Sequence, residues 1–215
     1  MTCILGVVNL VDHFSIIPVF NMGILVRTLP LIAGGAVASA AAAVTIATRH
    51  IRPTPLSALD PSSLVTRFTT VPNQHVDVYE VTLDQATTIT AFARAFFQSP
   101  LFRAERVVLN LVGVGGAKSD DAIDALLFAV GDNVAHFTVF EATPTELLFG
   151  GRPEVNAHSW LAVSNDGRQL RFGSTIQSRP LVRLLTPVHL VYAQLVLASA
   201  KYQLETTAAV DKSQR

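Results

Sequence analysis

Three polar side chains in apolar surroundings are the candidates for proton transfer in this sequence. Glu141 and His158 fall in segments that alternate like strands, and each interrupts an otherwise apolar neighbourhood. His189 falls in the long apolar pattern near the C terminus. A histidine or carboxylate whose pKa is shifted by burial can exchange a proton with a substrate. Glu141, His158 and His189 are therefore the predicted catalytic residues.

Aromatic side chains close to these residues predict the wall of an apolar ligand site. Tyr192 lies three residues after His189, so the two share one face of a helix. If that helix closes over a sheet, the polar and aromatic groups converge on one cavity. The sequence leaves open that they are ordinary core or rim residues that hold the helix to the sheet. The predicted ligand-binding residues are Trp160, Tyr192, Phe140 and Phe172.

The remaining motifs argue against several other kinds of site. The glycine-rich run at 113–116 is followed by Ala117 and Lys118, although a phosphate-binding loop needs glycine directly before the lysine. The six histidines include no pair spaced as on a metal-binding helix, and Cys3 is the single cysteine. With 16 basic and 16 acidic residues the net charge is zero, which disfavours binding to nucleic acid. We expect no metal, no cofactor and no nucleic-acid partner.

The composition and one long apolar run predict a protein held at a membrane. Half of the 215 residues are hydrophobic and only 15% are charged. The longest uncharged run, at 29–48, would span a hydrocarbon layer of about 30 Å as a helix that rises about 1.5 Å per residue. We therefore predict a single-pass transmembrane helix at 29–48 after an apolar extension at 1–28. A cleaved signal peptide that starts at Met22, or a buried helix of a soluble protein, remain alternatives.

The elements that must position the candidate residues follow this run. A Pro-rich linker is predicted at 49–74, a folded domain at 75–205 and a polar tail at 206–215. The domain begins with an alternating strand and continues with helices, the first of which Asp84 is expected to cap. Several strand-like segments follow, with a hairpin turn at 165–167, and one long apolar-striped helix ends the domain. This order predicts an α+β fold in which a long C-terminal helix covers an antiparallel sheet.

The stretch from Asp77 to Leu204 resembles the family called domain of unknown function 2867. The similar pieces are DVYEVTL, FARAFFQSPLFRAERVVLNLVG, FTVFEATPTELLFGG, HSWLAVSNDGRQLRFGSTI and TPVHLVYAQLV. The predicted fold is also similar to the helix-grip arrangement of the START and polyketide-cyclase-like superfamily. Such folds commonly hold a cavity between the curved sheet and the C-terminal helix, which is what the resemblance implies for this chain.

Three functions are compatible with these expectations. The first is a membrane-anchored domain that binds an apolar small molecule or lipid between the sheet and the C-terminal helix. The second is a cofactor-independent cyclase, isomerase or dehydratase that acts on a polyketide-like or terpenoid intermediate of secondary metabolism. The third is a scaffold whose apolar faces meet a protein partner of unknown identity. Whether the chain is an enzyme is left open by the sequence.

Overall fold

A seven-stranded antiparallel sheet forms the centre of the protein in the part of the chain that the structure describes. The structure is a computed structural model that describes residues 43–111, 118–134, 137–151, 156–178 and 180–213. The strand order is β1-β2-β7-β6-β5-β4-β3, so the first long strand lies beside the last one. The strands are β1 (Arg52–Pro53), β2 (Gln74–Thr82), β3 (Asn133–Val134), β4 (Phe137–Ala142), β5 (Glu146–Gly150), β6 (Ala157–Val163) and β7 (Gln169–Gln177).

Four α-helices accompany the sheet within the described residues, three of them between β2 and β3 and one at the C-terminal end. They are α1 (Ile89–Gln98), α2 (Pro100–Leu111), α3 (Asp120–Asp124) and α4 (Pro180–Ser213). Together with the open antiparallel sheet, the long α4 confirms the predicted α+β class and the C-terminal helix. Residues 43–48 are also helical, whereas residues 1–42, which hold most of the predicted transmembrane helix, lie outside the described residues.

Helices α1, α2 and α4 pack on one side of the sheet, which we call the helix face. Alternate residues of the strands point to this side because the side-chain period of a strand is two. Phenylalanines from helices and strands interlock here; the ring centroids of Phe96 and Phe172, for example, lie 5.5 Å apart. The sheet residues buried in this layer are Tyr79, Val81, Val134, Phe137, Val139, Leu147, Phe149, Leu161, Val163, Leu170 and Phe172.

Residues 54–73, which we call the strap, cover the opposite side of the sheet, the strap face. The strap contains two short 3-10 helices, Leu56–Ala58 and Thr66–Thr70. Its Leu59, Val65 and Phe68 are buried against Leu148 and Trp160 of the sheet. The sequence predicts a linker here because the prolines break any longer helix. In the structure the apolar residues between those prolines bury themselves on the sheet.

A close approach of two strands explains why a glycine faces the tryptophan on the strap face. Gly173 on β7 pairs with Trp160 on β6. A Cβ atom at Gly173 would lie 3.0 Å from Cε3 of Trp160 and 3.2 Å from Cγ2 of Val78. The glycine therefore leaves the space in which the indole ring lies across the neighbouring strand.

Two local predictions have different outcomes. The predicted hairpin turn joins β6 to β7, and Gly167 there adopts the left-handed conformation with φ of 73°. The prediction that Asp84 caps the first helix is wrong. Thr88 is the N-cap of α1, and its hydroxyl accepts from the N–H of Ala91 at 3.2 Å. Both residue types cap well, and the segment at 84–88 remains non-helical up to this threonine.

One helix in the described part of the chain is long and apolar enough to cross a membrane. It is the stretch Arg183–Ala209 of α4, and it is partly buried against the sheet, as the core helix of a soluble protein is. Helix α4 also continues to Ser213, through most of the segment predicted to be a polar tail.

Candidate functional site

The predicted site residues lie on two opposite sides of the sheet. Glu141, His158, Trp160 and Phe140 are on the strap face. His189, Tyr192 and Phe172 are on the helix face. The sheet separates the two groups, so they do not converge on the single cavity predicted from the sequence. The two groups must be judged separately.

A β-bulge decides the side on which Glu141 lies. The register between β4 and β5 shifts between Val139 and Glu141. A bulge inserts one extra residue, so the alternation of side chains changes there. Phe140 and Glu141 consequently both face the strap, and Glu141 lies opposite Leu148 rather than Leu147.

On the strap face His158 is held between aromatic rings. Its ring stacks on Phe68 with centroids 4.6 Å apart, and Phe140 meets it edge-on at 5.6 Å. Nδ1 of His158 lies 3.3 Å from the hydroxyl of Thr175. Burial, aided by the positive charge of Arg67, lowers the pKa of His158, so this imidazole is neutral at pH 7.

The carboxylates of the strap face bind the strap to the sheet. Glu141 receives two hydrogen bonds from the guanidinium of Arg67, and these hold the pKa of Glu141 below its usual value. Glu146 accepts from the hydroxyl of Ser63 at 3.0 Å, from the N–H of Leu64 at 2.7 Å and from the indole of Trp160 at 2.8 Å. Since these polar side chains have partners within the chain, the arrangement is that of a packed interface.

The helix face contains a buried polar cluster that joins α4 to the sheet, formed by Asp77 of β2, Ser174 of β7 and His189 of α4. Oγ of Ser174 lies 2.6 Å from Oδ1 of Asp77 and 2.7 Å from Nε2 of His189. Nε2 of His189 lies 3.3 Å from the same Oδ1. The exposed fractions of Ser174 and His189 are only 0% and 3%, so the cluster is shielded from water.

The geometry of this cluster is not that of a serine nucleophile. In a catalytic triad the serine and the carboxylate occupy different nitrogens of the histidine. Here Ser174 and Asp77 both lie at Nε2. When the Ser174 hydroxyl donates to Asp77, its oxygen accepts from an N–H at Nε2, which leaves Nδ1 of His189 as an acceptor. The cluster therefore presents acceptors and no activated hydroxyl.

A second polar pair lies on the same face, between α2 and α4. The hydroxyl of Tyr192 donates to Oε2 of Glu105. Glu105 is 6% exposed, although it is a carboxylate. The pair borders an enclosed space of about 10 Å³ whose other walls are Ser159, Val196 and the rings of Phe96, Phe102, Phe137, Phe149 and Phe172. That volume is room for about one water molecule.

Besides Nε2 of His75 and Nε of Arg106, three buried acceptor atoms on this face have no hydrogen-bond partner within the part of the chain that the structure describes. They are Oε1 of Glu105, Oδ2 of Asp77 and Nδ1 of His189. The pairing of the strands links them, because Ser174 lies opposite both Asp77 on β2 and Ser159 on β6. A buried polar atom without a partner costs about 1–3 kcal/mol. Three such acceptors in one layer are what a ligand with hydroxyl donors would satisfy.

Tyr79 lies on the same face as this layer. Burial, with the negative charge of Asp77, raises the pKa of its phenol, and a hydrogen bond with Gln194 of α4 partly opposes this shift. Tyr79 therefore stays protonated and remains a hydrogen-bond donor at neutral pH.

Sequence reasoning missed Glu105, Asp77 and Ser174 as site residues. Asp77 carried a signal, since it alternates with Tyr79 and Val81 and so places a carboxylate on an apolar face. Glu105 lies three residues after Phe102, on the buried side of its helix. Ser174 carried no signal of its own, because its role depends on Asp77, 97 residues away.

Among the described residues, no group of three or more His, Cys, Asp or Glu side chains is arranged to hold a metal ion. No family model, curated protein or solved structure matches this chain. The functional argument therefore depends on the geometry of the helix face.

Proposed function

We propose that this protein binds an apolar small molecule or lipid between the sheet and α4. The observation that carries the proposal is the set of buried, unpartnered acceptors on Glu105, Asp77 and His189, of which Glu105 lies beside a space walled by phenylalanines. Native interiors rarely leave such atoms unsatisfied. A ligand with an apolar body and one or two hydroxyl groups would bury its body among the rings and donate to these acceptors.

The chemistry of the acceptors narrows the class of ligand. A free fatty acid would bring a second carboxylate towards Glu105, and like charges at short distance in a buried site repel each other. A neutral alcohol or enol supplies the donor without the charge. The proposed ligand is therefore a neutral, hydroxyl-bearing apolar molecule, such as a terpenoid or polyketide-like alcohol.

Binding requires α4 to move, because the enclosed space of about 10 Å³ is too small for such a molecule. Pro187 lies inside α4, two residues before His189. A proline in a helix removes one backbone hydrogen bond and allows the helix to bend. Bending there would let the part of α4 that follows the proline, which contains Tyr192 and Val196, shift on the sheet and open the layer beneath.

The strand order supports the further proposal that the domain is a helix-grip fold. A strand, helices, an antiparallel meander and a long C-terminal helix follow one another, with β2 beside β7. The similarity to domain of unknown function 2867 remains part of this proposal. It rests on the residues from Asp77 to Leu204.

We also propose that residues 29–48 anchor the protein in a membrane as a single span. Their length and lack of charge support this proposal. Apolar alcohols partition into bilayers, so a tethered binding domain would be close to its ligand.

Glu105 favours a second candidate function, a cofactor-independent isomerase, cyclase or dehydratase. A buried carboxylate beside a tyrosine hydroxyl can take a proton from a substrate carbon and return it at another position. Such an isomerisation needs no oxidant, reductant or cofactor. Glu105 would be the proton carrier, and Tyr192 would hold its orientation.

Native mass spectrometry of the full chain, purified in mild detergent, tests the binding proposal. We expect a protein peak with one additional neutral molecule, which organic solvent then releases for identification. A spectrum with only the bare chain and nonspecific detergent adducts would contradict the proposal. Incubation of the identified molecule with fresh protein then distinguishes a binder from an enzyme, because only an enzyme converts it.

A further inference from the structure

An apolar stripe runs along the side of α4 that faces away from the sheet. Leu184, Val188 and Val191 are 74%, 63% and 42% exposed, and Tyr202, further along the same side, is 60% exposed. They recur with Leu195 and Ala198 at intervals of three or four residues, which is the spacing of one helix face. The opposite side of α4 packs on the sheet through Ala193, Val196, Leu197 and Ala200. The helix thus has two apolar sides, of which one is covered.

A groove of about 560 Å³ continues the stripe between α4 and α2. Leu195, Ala198 and Tyr202 of α4 form one wall of this groove, and Pro100, Leu101 and Ala104 of α2 form the other. Ala47, from the helical residues 43–48, also lines the groove. The end of the predicted membrane span therefore enters the domain beside the stripe.

The charges around the stripe fit a bilayer surface. No Asp or Glu occurs from residue 183 to residue 204, and Arg183 at the start of the stripe is exposed. Arg49 and Arg52, which follow the predicted span, are exposed as well. Basic residues beside an apolar helix face are typical of helices that lie in the interface of membranes with anionic lipids.

We propose that the outer stripe of α4 lies in the interface of the bilayer that holds residues 29–48. This inference rests on the anchoring proposed above. The tether brings the stripe to the membrane, and the apolar side chains then enter the boundary between headgroups and acyl chains. The same helix covers the proposed ligand layer, so its contact with the bilayer gives an apolar ligand a route from the membrane to the site without crossing water.

Site-directed spin labelling of the full chain in vesicles of phosphatidylcholine and phosphatidylserine tests this docking. Cys3→Ser removes the native thiol, and single cysteines are introduced by Val188→Cys, Leu184→Cys or Thr69→Cys. Thr69 is exposed on the strap and serves as the control. We expect labels at 188 and 184 to collide frequently with oxygen and rarely with a water-soluble nickel chelate. The label at 69 should show the reverse.

Two readouts separate the failure of docking from the failure of anchoring. Sedimentation of the same samples with the vesicles reports whether the protein is held at the membrane at all, whereas the labels report whether the stripe is in contact with it. If the protein sediments but labels at 188 and 184 behave like the label at 69, the stripe faces water and the docking proposal is overturned while the anchor stands. Dipolar broadening between labels at 188 would overturn it in favour of a second copy of the chain. Protein that stays in the supernatant would overturn both proposals.

Discussion

Glu141 and Glu146 both face the strap, but their surroundings differ. Glu141 pairs with Arg67, and the side chains of both are 44% exposed. Glu146 is half-buried and accepts hydrogen bonds from Ser63, Leu64 and Trp160. Exposed ion pairs contribute little to stability, whereas a buried acceptor of several donors is costly to replace. Glu146, although it was not predicted as a site residue, is therefore the main polar contact between strap and sheet.

We predict that Glu146→Gln lowers the free energy of unfolding by about 1–3 kcal/mol. The glutamine amide would point an N–H group at groups that themselves donate hydrogen bonds to Glu146. Glu141→Gln, the matched control, should cost at most about 1 kcal/mol. Urea unfolding monitored by the fluorescence of Trp160, the single tryptophan, measures both. Equal losses in the two variants would show that burial of Glu146 is not what matters.

The lowered pKa of His158 predicts how stability depends on pH. Below the ordinary pKa of 6.5 the unfolded chain gains a proton at this histidine that the folded protein does not accept. Stability therefore falls as the pH drops from 6.5 towards the lower pKa of the folded state. His158→Gln should flatten the slope of unfolding free energy over this range. His50→Gln, at an exposed histidine, should leave the slope as it is. An unchanged slope in His158→Gln would contradict the prediction.

The role of Glu105 is tested by Glu105→Gln, which keeps the size of the side chain and removes its charge. We expect the affinity for the molecule extracted from the wild type to fall about 10- to 100-fold, because a charge-assisted hydrogen bond is lost. Glu205→Gln, on an exposed turn of α4, is the control. Isothermal titration measures both affinities. Full affinity in Glu105→Gln would exclude Glu105 from the site.

At the scale of elements, local patterns predicted the strands and helices well. Short stretches of sequence suffice to recognise the alternation in β2 and β7, the turn at Gly167 and the apolar stripe of α4. The β4 bulge and the strap were not predictable in the same way. The bulge depends on the pairing of β4 with β5, and the strap folds only because the sheet offers an apolar face for it to cover.

Helix α4 contains the proline on which the opening of the site depends. Pro187→Ala should restore the missing backbone hydrogen bond and raise the unfolding free energy by as much as about 3 kcal/mol. The rate at which the ligand extracted from the wild type exchanges between the protein and the solution should fall. Pro180→Ala should change both little, since proline is tolerated in the first turn of a helix. Stopped-flow displacement of the ligand and urea unfolding measure the two effects. An unchanged rate of ligand exchange in Pro187→Ala would show that the site does not open by bending at this proline.

At the scale of the whole molecule, the fold class was predictable and the site was only partly so. His189 and Tyr192 were predicted to share a helix face, and both contribute to the polar contacts under α4. Their partners Asp77 and Glu105 come from segments 112 and 87 residues away. Such contacts depend on which strands pair and on which helix covers them. A single sequence does not encode them in any local pattern.

The position of the sheet between the strap and α4 explains why His158 and His189 do not act together. His158 of β6 faces the strap, whereas His189 of α4 lies between that helix and the opposite side of the sheet. The sheet thus has two polar layers. In the layer with the strap the carboxylates of Glu141 and Glu146 have partners within the chain, whereas in the layer with α4 the carboxylates of Asp77 and Glu105 each keep one buried oxygen without a partner among the described residues.

Narrowing the space under α4 tests the location of the ligand most directly. Ser159→Leu adds a larger side chain to the wall of the enclosed space, and Ser57→Leu makes the same change on the exposed strap. The measurement is the number of molecules bound per chain, by native mass spectrometry of the two full-length variants and the wild type. We predict about one ligand per chain in the wild type and in Ser57→Leu, and loss of the ligand in folded Ser159→Leu. Full occupancy in Ser159→Leu would contradict a site between the sheet and α4.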